Sequence, residues 1–216
     1  MTNIWFTSDT HFCHQPSFLW EPRGFNNAEE MNEAIVERWN SVVKSDDEVY
    51  HLGDFALNNI DAAIPYINRL NGTIRWILGN HDTEKKIGKI IEECPSVWEI
   101  GWAYQIKIGK HSIYMSHYPT LTANFDEKKF SQHTFALHGH THQRTNWLHA
   151  DNPFMYHVGM DSHNCTPVHI DEIITDIKQR WSDIECLPTC IKPQDTYPYS
   201  SYKPLKIIFE GDKDEN

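Results

Sequence analysis

The chain has 216 residues and a formal net charge of -11, yet it contains 14 histidines. This length suffices for one large domain whose core needs neither disulfides nor a structural metal. Its 39% hydrophobic and 23% charged residues are typical of a soluble globular protein. The acidic balance argues against a protein that binds nucleic acid or anionic membranes through its net charge, since both need clustered lysine and arginine.

The cysteines and the amino terminus predict a cytoplasmic protein with no membrane partner. Five cysteines without a repeating spacing argue against a disulfide framework. Cys186 and Cys190 have no second pair at zinc-finger spacing, so we interpret them as free thiols. The first residues lack the features of a signal peptide, and the sequence contains no apolar run of about 18 residues.

The first half of the chain predicts alternating strands and helices. Short runs rich in β-branched and aromatic residues predict strands at 4–7, 48–52 and 73–78. Apolar residues at helical spacing predict helices at 27–43, 60–70 and 84–93. Asn27 followed by Glu30 predicts a capped start for the first helix. This order is typical of a layered α/β domain.

The second half predicts closely spaced strands, at 104–108, 112–116, 134–137 and 154–158. Residues 108–112 read as a tight hairpin, so we expect a more antiparallel second sheet packed on the first. A last helix is predicted at 171–181. We expect residues 1–185 to form the domain, and the proline-punctuated residues 186–216 to form an extension that packs on the domain or on a partner.

Histidines and carboxylates cluster directly after five of the predicted strands. The clusters are Asp9-Thr10-His11, Gly53-Asp54, Gly79-Asn80-His81-Asp82, His117, and Gly139-His140-Thr141-His142. Open α/β sheets place their ligand crevice at the carboxyl ends of the strands. We therefore expect these side chains to meet at one rim. Isolated histidines such as His51, His111 and His133 are expected to be structural.

The side-chain chemistry of the clusters predicts a metal centre. Asp oxygens, imidazole nitrogens and one Asn carbonyl suit Mn, Fe or Zn. Seven such ligands exceed what one tetrahedral ion needs and suit two ions roughly 3.5 to 4 Å apart, the arrangement used for displacement at phosphorus. Residues i and i+2 of an extended segment point the same way. The side chains of Asp9 and His11 would therefore point in one direction, as would those of His140 and His142.

The five clusters closely resemble the pattern of the calcineurin-like metallophosphoesterase superfamily, which is D-x-H, G-D, G-N-H-D/E, H and G-H-x-H. The resemblance runs from residue 1 to about residue 175 and is strongest to small stand-alone cytoplasmic members of bacteria and their phages. It implies a four-layer β-sandwich flanked by α-helices. One departure is Cys13, where relatives usually have Gly; it is either a small residue that fits or a redox-sensitive thiol near the metals.

The resemblance also implies roles for the clustered residues. The first of two divalent ions, with Mn favoured and Fe, Zn or Ni as alternatives, would be bound by Asp9, His11, Asp54 and His142. The second would be bound by Asp54, Asn80, His117 and His140, so that Asp54 bridges. His81 would face the phosphate and protonate the leaving oxygen, and Asp82 would orient His81.

The expected activity is hydrolysis of a phosphate mono- or diester by in-line attack of a metal-bound hydroxide. The acidic charge favours a small phosphorylated substrate such as a nucleotide over duplex nucleic acid. Arg23 is either a phosphate clamp or a surface cation, and His14, Tyr118 and His163 are further candidates for substrate binding. A nuclease, a phosphoprotein phosphatase and a non-catalytic scaffold are the alternatives, and the sequence leaves a homodimer open.

Overall fold

The computed structural model describes residues 2–122, 129–149 and 152–185. Nine strands occur in these ranges: β1 (Ile4–Thr7), β2 (Glu48–Leu52), β3 (Thr73–Ile77), β4 (Val97–Gly101), β5 (Ala103–Ile108), β6 (His111–Ser116), β7 (Thr134–His138), β8 (Met155–His157) and β9 (Val168–His169). The helices are α1 (Ser17–Trp20), α2 (Ala28–Val42), α3 (Ile60–Ile67), α4 (Glu84–Glu93) and α5 (Ile170–Glu185), with a 3-10 turn at Phe130–Gln132. The predicted extension 186–216, including Cys186 and Cys190, lies outside the described residues.

The first sheet has the strand order β4-β3-β2-β1-β9. Strands β1 to β4 pair in parallel, and only β9 runs antiparallel, beside β1. Consecutive side chains of β1, β2 and β3 are buried, so both faces of these strands are covered and their sequences are largely apolar. The α/β organisation predicted for the first half of the chain is therefore confirmed.

The second sheet has the order β5-β6-β7-β8 and corrects the expectation of a more antiparallel sheet. Only β5 and β6 are antiparallel, joined by the predicted hairpin, where Gly109 has a φ of +57°. Strand β7 is parallel to both β6 and β8. The long connections before β7 and β8 are crossovers, which return the chain to the same end of the sheet.

Two apolar clusters hold the layers together. One fills the space between the first sheet and the helices, where Trp39 of α2 and Trp76 of β3 are fully buried. The other lies between the two sheets and joins Phe6 of β1 to Phe135 of β7, with Ile173 of α5 packed against it. These clusters confirm a β-sandwich flanked by helices.

The structure confirms one predicted helix start, moves one predicted helix end and adds three short elements. The predicted cap is present, since the Asn27 side chain accepts a hydrogen bond from the Glu30 amide at 2.8 Å. The predicted helix at 60–70 ends earlier, at Ile67. Strands β4 and β9 and the one-turn helix α1 were not predicted; the two strands are defined by their pairing with β3 and β1.

The histidines expected to be structural are buried against aromatic rings: His51 on Phe55, His111 on Phe135 and His133 on Phe154. The His51 ring also contacts the Thr10 hydroxyl at 3.0 Å. Cys13, Cys94 and Cys165 are buried free thiols. Among the helices in the described ranges, none combines the length and apolarity needed to cross a bilayer.

Asp47 joins three segments of the chain at the amino ends of β1, β2 and β3. Its carboxylate accepts hydrogen bonds from the backbone and side-chain amides of Asn3, the Trp5 indole and the Lys44 amide. Its carbonyl accepts from the Thr73 amide at 2.9 Å. Burial alone would raise the pKa of Asp47, but these donors lower that pKa to about 2. The folded protein therefore binds this proton more weakly than the unfolded chain does.

We expect Asp47→Asn to lower the free energy of unfolding by about 2 kcal/mol at neutral pH, because an amide cannot accept from all the donors that the carboxylate satisfies. The folded pKa lies below the ordinary value of 3.8 for an aspartate, so this stabilisation is present above that pH and disappears as the pH falls through about 2. Urea unfolding should show the difference shrinking with acidification. Asp46→Asn, at the exposed neighbouring position, is the matched control; a difference independent of pH would contradict the expectation.

Candidate metal centre

The parallel strands of both sheets bring their carboxyl ends to one rim. Loops after β1, β2 and β3 carry Asp9 with His11, Asp54, and Asn80 with His81. Loops after β6 and β7 carry His117, and His140 with His142. A sixth loop, after β8, carries Asp161. Backbone hydrogen bonds join these loops, within the second sheet from the Gly139 amide to the His117 carbonyl at 3.0 Å and between the two sheets from the Met160 amide to the Ser8 carbonyl at 3.1 Å.

The loops that follow β1 and β2 run side by side, and three of their residues have a strained backbone conformation. The Asp9 amide donates to the Gly53 carbonyl at 3.0 Å, and the His11 amide donates to the Asp54 carbonyl at 3.1 Å. Asp9, His11 and Asp54 have φ values of +57°, +49° and +57°. Non-glycine residues rarely adopt this conformation, and such strain clusters at functional sites.

The expectation that the D-x-H and H-x-H residues converge because they lie in extended segments is wrong. His140 and His142 also have positive φ values, +67° and +48°. The side chains converge because left-handed turns in each loop redirect the chain.

The first group of side chains able to hold a metal ion consists of Asp9, His11 and His142. His11 Nε2 lies 3.1 Å from His142 Nε2 and 3.7 Å from Asp9 Oδ1. Asp9 is fully buried, and its Oδ1 accepts no hydrogen bond from the residues that the structure describes. A buried carboxylate oxygen normally has a partner, so this oxygen and the two imidazole nitrogens fit a cation.

The second group consists of Asp9, Asp54 and His117. His117 Nε2 lies 3.5 Å from Asp54 Oδ2 and 2.9 Å from Asn80 Oδ1. Its Nδ1 contacts the Leu52 carbonyl at 2.8 Å, and because a carbonyl only accepts, Nδ1 carries a proton. The Nε2 atom therefore faces two oxygen acceptors, an arrangement that a cation would satisfy.

His140 lies beside this group without belonging to it. Its ring centroid is 5.0 Å from that of His117, and its backbone amide donates to Asp9 Oδ2 at 2.9 Å.

Burial and mutual charge shift the pKa values of the clustered groups in opposite directions. Burial would raise the pKa of Asp54, but hydrogen bonding and charge from His117, together with His11, hold it well below its usual range. Burial would lower the pKa of His117, but Asp54 and Asp9 raise it. Burial lowers the pKa of His11 well below its usual value. The site thus favours a negative Asp54 beside a neutral His11, whereas burial raises the pKa of Asp9.

His81 projects over the centre, and Asp82 does not orient it. The His81 amide donates to Asp54 Oδ1 at 2.9 Å, and the side chain is 49% exposed, with Nε2 4.0 Å from Asp54 Oδ2. The buried Asp82 carboxylate instead accepts from the amides of Asp54, Phe55 and Gly79 and from the Trp76 indole. Asp82 therefore joins the loops after β2 and β3, which corrects its expected role.

Comparisons with known proteins agree with this geometry. The profile of the calcineurin-like phosphoesterase superfamily domain matches residues 2–156. The chain belongs to this superfamily.

An uncharacterised protein of Methanocaldococcus jannaschii is 32% identical over 188 residues, which cover 83% of this chain and 93% of that protein. The gene 66 protein of Mycobacterium phage D29 is 28% identical and covers 83% of this chain and 99% of its own length. A solved protein of unknown function from Aquifex aeolicus shares the fold at a TM-score of 0.61 and 22% identity, covering 81% of this chain and 99% of that one.

The environment of Arg23 in this calcineurin-like domain differs from both that of a surface cation and that expected of a phosphate clamp. Its side chain is only 2% exposed, so the interpretation as a surface cation is wrong. Its guanidinium forms a two-pronged ion pair with Asp161, through Nε at 3.0 Å and Nη2 at 2.8 Å. These contacts lend no support to a phosphate clamp. Sequence reasoning missed Asp161, although a Gly followed closely by Asp after a predicted strand repeats the signal seen at Gly53-Asp54.

The other substrate-binding candidates separate into two sets. Tyr118 is 47% exposed and lies with its ring centroid 4.6 Å from that of His140, at the site. His14 is half-buried, 5.9 Å from His11 between ring centroids. His163 instead contacts the His157 carbonyl at 2.9 Å and stacks on Tyr156, both residues of β8.

Cys13 does not have the properties of a reactive thiol. It is 6% exposed, and burial raises the pKa of its thiol, although the Asn32 amide contacts the sulfur. Reactive cysteines have a lowered pKa and an accessible sulfur. The interpretation of Cys13 as a small residue that fits is the one consistent with this environment.

Gly139→Ala should displace Asp9, because a Cβ at Gly139 would overlap Asp9 Oδ2 and the Ser8 hydroxyl. We expect at least tenfold weaker Mn²⁺ binding together with lower stability, measured by metal titration and by urea unfolding of the metal-free protein. Gly88→Ala is the matched control, because a Cβ there meets open space on α4 and the change should stabilise the helix by up to about 1 kcal/mol. Equal Mn²⁺ affinity in both variants would show that the close approach at Gly139 is unimportant.

Proposed function

We propose that this protein is a dinuclear metal-dependent phosphoesterase that hydrolyses a small phosphate mono- or diester, of nucleotide type. The observation that carries the proposal is the position of Asp54. Its Oδ2 lies 3.5 Å from His117 Nε2 within the second group and 3.7 Å from His11 Nε2 of the first group, so Asp54 reaches both groups of candidate ligands. This is the position that a carboxylate shared by two ions requires.

The residues present fit two divalent ions. Their nitrogen and oxygen atoms suit Mn first, with Fe, Zn or Ni as alternatives. The first ion would be held by Asp9, His11, Asp54 and His142, and the second by Asp54, Asn80, His117 and His140. Bound there, the ions would supply the positive charge that polarises a phosphoester and a water molecule for attack.

His81 is the residue best placed to act on the leaving group. Its exposed ring stands over Asp54, while its backbone amide is fixed by Asp54 Oδ1. In the proposed step an oxygen from water bonds to phosphorus, and the bond from phosphorus to the leaving oxygen breaks. The leaving oxygen takes a proton from His81 Nε2; solvent accepts the proton that water releases and returns one to His81.

Charge and an exposed aromatic ring favour a small nucleotide-type substrate. Two divalent ions would still leave the chain strongly negative, which disfavours long polyanions such as duplex DNA. Tyr118 is exposed beside His117 and His140, where its ring offers a surface on which a base can stack.

Replacing His81 and Asp54 should separate chemistry from metal binding. We expect His81→Ala to keep wild-type Mn²⁺ stoichiometry and to lose about 10²- to 10⁴-fold in kcat, because only the proton donor is removed. Asp54→Ala should lose Mn²⁺ and activity together. Both are measured by metal titration and steady-state kinetics, with the exposed His149→Ala as a control. Equal metal loss in the His81 and Asp54 variants would refute the division of roles.

A substrate panel on the Mn-loaded protein should distinguish the proposed activity from its alternatives. We expect turnover of small monoesters, diesters or cyclic nucleotides to exceed cleavage of single-stranded DNA and phosphopeptides. Preference for single-stranded DNA would favour a nuclease, and preference for phosphopeptides a phosphoprotein phosphatase. A protein that binds Mn²⁺ but cleaves none of these would be a binding scaffold.

A further inference from the structure

Arg23 and Asp161 form a buried pair behind His142, which belongs to the first group of candidate metal ligands. Asp161 Oδ2 lies 2.9 Å from His142 Nδ1 and 2.8 Å from Arg23 Nη2, and Asp161 Oδ1 lies 3.0 Å from Arg23 Nε. The side chains of Arg23 and Asp161 are 2% and 9% exposed. A two-pronged Arg–carboxylate pair of this kind is geometrically specific and shielded from solvent.

The same guanidinium also reaches the loop that carries Asp9. Arg23 Nη2 donates to the Asp9 carbonyl at 2.8 Å. One cation therefore connects the loop after β1, which presents Asp9 and His11, with the loop after β8, which presents Asp161 to His142. Arg23 itself comes from a third segment, the turn between α1 and α2.

We infer that Asp161 and Arg23 are positioning residues that hold His142 ready to bind the ion of the Asp9, His11 and His142 group; this inference rests on the proposed function. An ionised carboxylate only accepts hydrogen bonds, so Asp161 fixes the proton of His142 on Nδ1. The Nε2 lone pair of His142 then points towards His11 Nε2, 3.1 Å away, and towards Asp9 Oδ1, 3.8 Å away. Outer partners of this kind orient a ligating imidazole and strengthen its donation.

The pair, rather than either residue alone, is needed for this effect. Without Arg23, Asp161 would be a carboxylate buried without its cation, which is costly. Without the Asp161 carboxylate, the buried Arg23 would place an unpaired positive charge behind the ligands of a positive ion. The intact pair is neutral and leaves the hydrogen bond to His142 in place.

Asp161→Asn tests the inference, with Mn²⁺ as the probe in competition with a chelator of known affinity. We expect one of the two Mn²⁺ ions to bind about 10- to 100-fold more weakly and the other to bind within about threefold of wild type. Asp171→Asn is the matched control, because Asp171 is 84% exposed and lies 3.7 Å from His169 Nδ1, outside the site. Long-range ¹H–¹⁵N spectra of the metal-free protein should show His142 protonated on Nδ1 in wild type and a mixture of tautomers in the variant.

Arg23→Lys keeps the positive charge but loses the planar fork, so it should weaken the same ion by a smaller factor. It also serves as the test if Asp161→Asn does not fold, as judged by thermal unfolding. Unchanged affinity for both ions in the folded variants, or equal loss of both, would overturn the inference. Wild-type protein that binds no Mn²⁺ would instead refute the proposed function.

Discussion

The parallel direction of three strands in each sheet is the constraint on which the site depends. Strands β1, β2 and β3 end at the same edge of the first sheet, and β6, β7 and β8 end at the same edge of the second. If β7 ran antiparallel to β6, the loop with His140 and His142 would lie a whole strand length from His117. The crossovers of the second sheet are thus what unite the ligand-bearing loops.

The convergence of acceptors at this rim explains much of the local strain. Carboxylate oxygens and imidazole nitrogens approach one another within 3.1 to 3.8 Å, and a cation among them would satisfy those that carry no proton. Left-handed backbone at Asp9, His11 and Asp54 and close packing around Gly139 maintain this geometry. The inter-loop hydrogen bonds of Asp82, and those of Arg23 with Asp161, hold the loops in place from behind.

Away from the site, Asp47 is likewise a buried carboxylate that accepts hydrogen bonds from several donors. Asp47 joins the start of β1 to the turn before β2 through a carboxylate with a lowered pKa. Asp161 uses the same device at the site, where a hydrogen-bonded carboxylate connects segments distant in the chain. In both cases burial alone would favour the protonated acid, and the donors supplied by the fold reverse that preference.

The sequence by itself determined the layered α/β class, most strand positions and the Asp and His residues that could hold a metal ion. Those features are local, because apolar runs and the polar residues that follow them can be read without knowing which strands pair. Only the tertiary structure decided the parallel second sheet, the edge strand β4, and the partners of Asp82, Arg23 and Asp161. These depend on contacts such as Arg23 with Asp161, 138 residues apart, which spacing along a single chain does not encode.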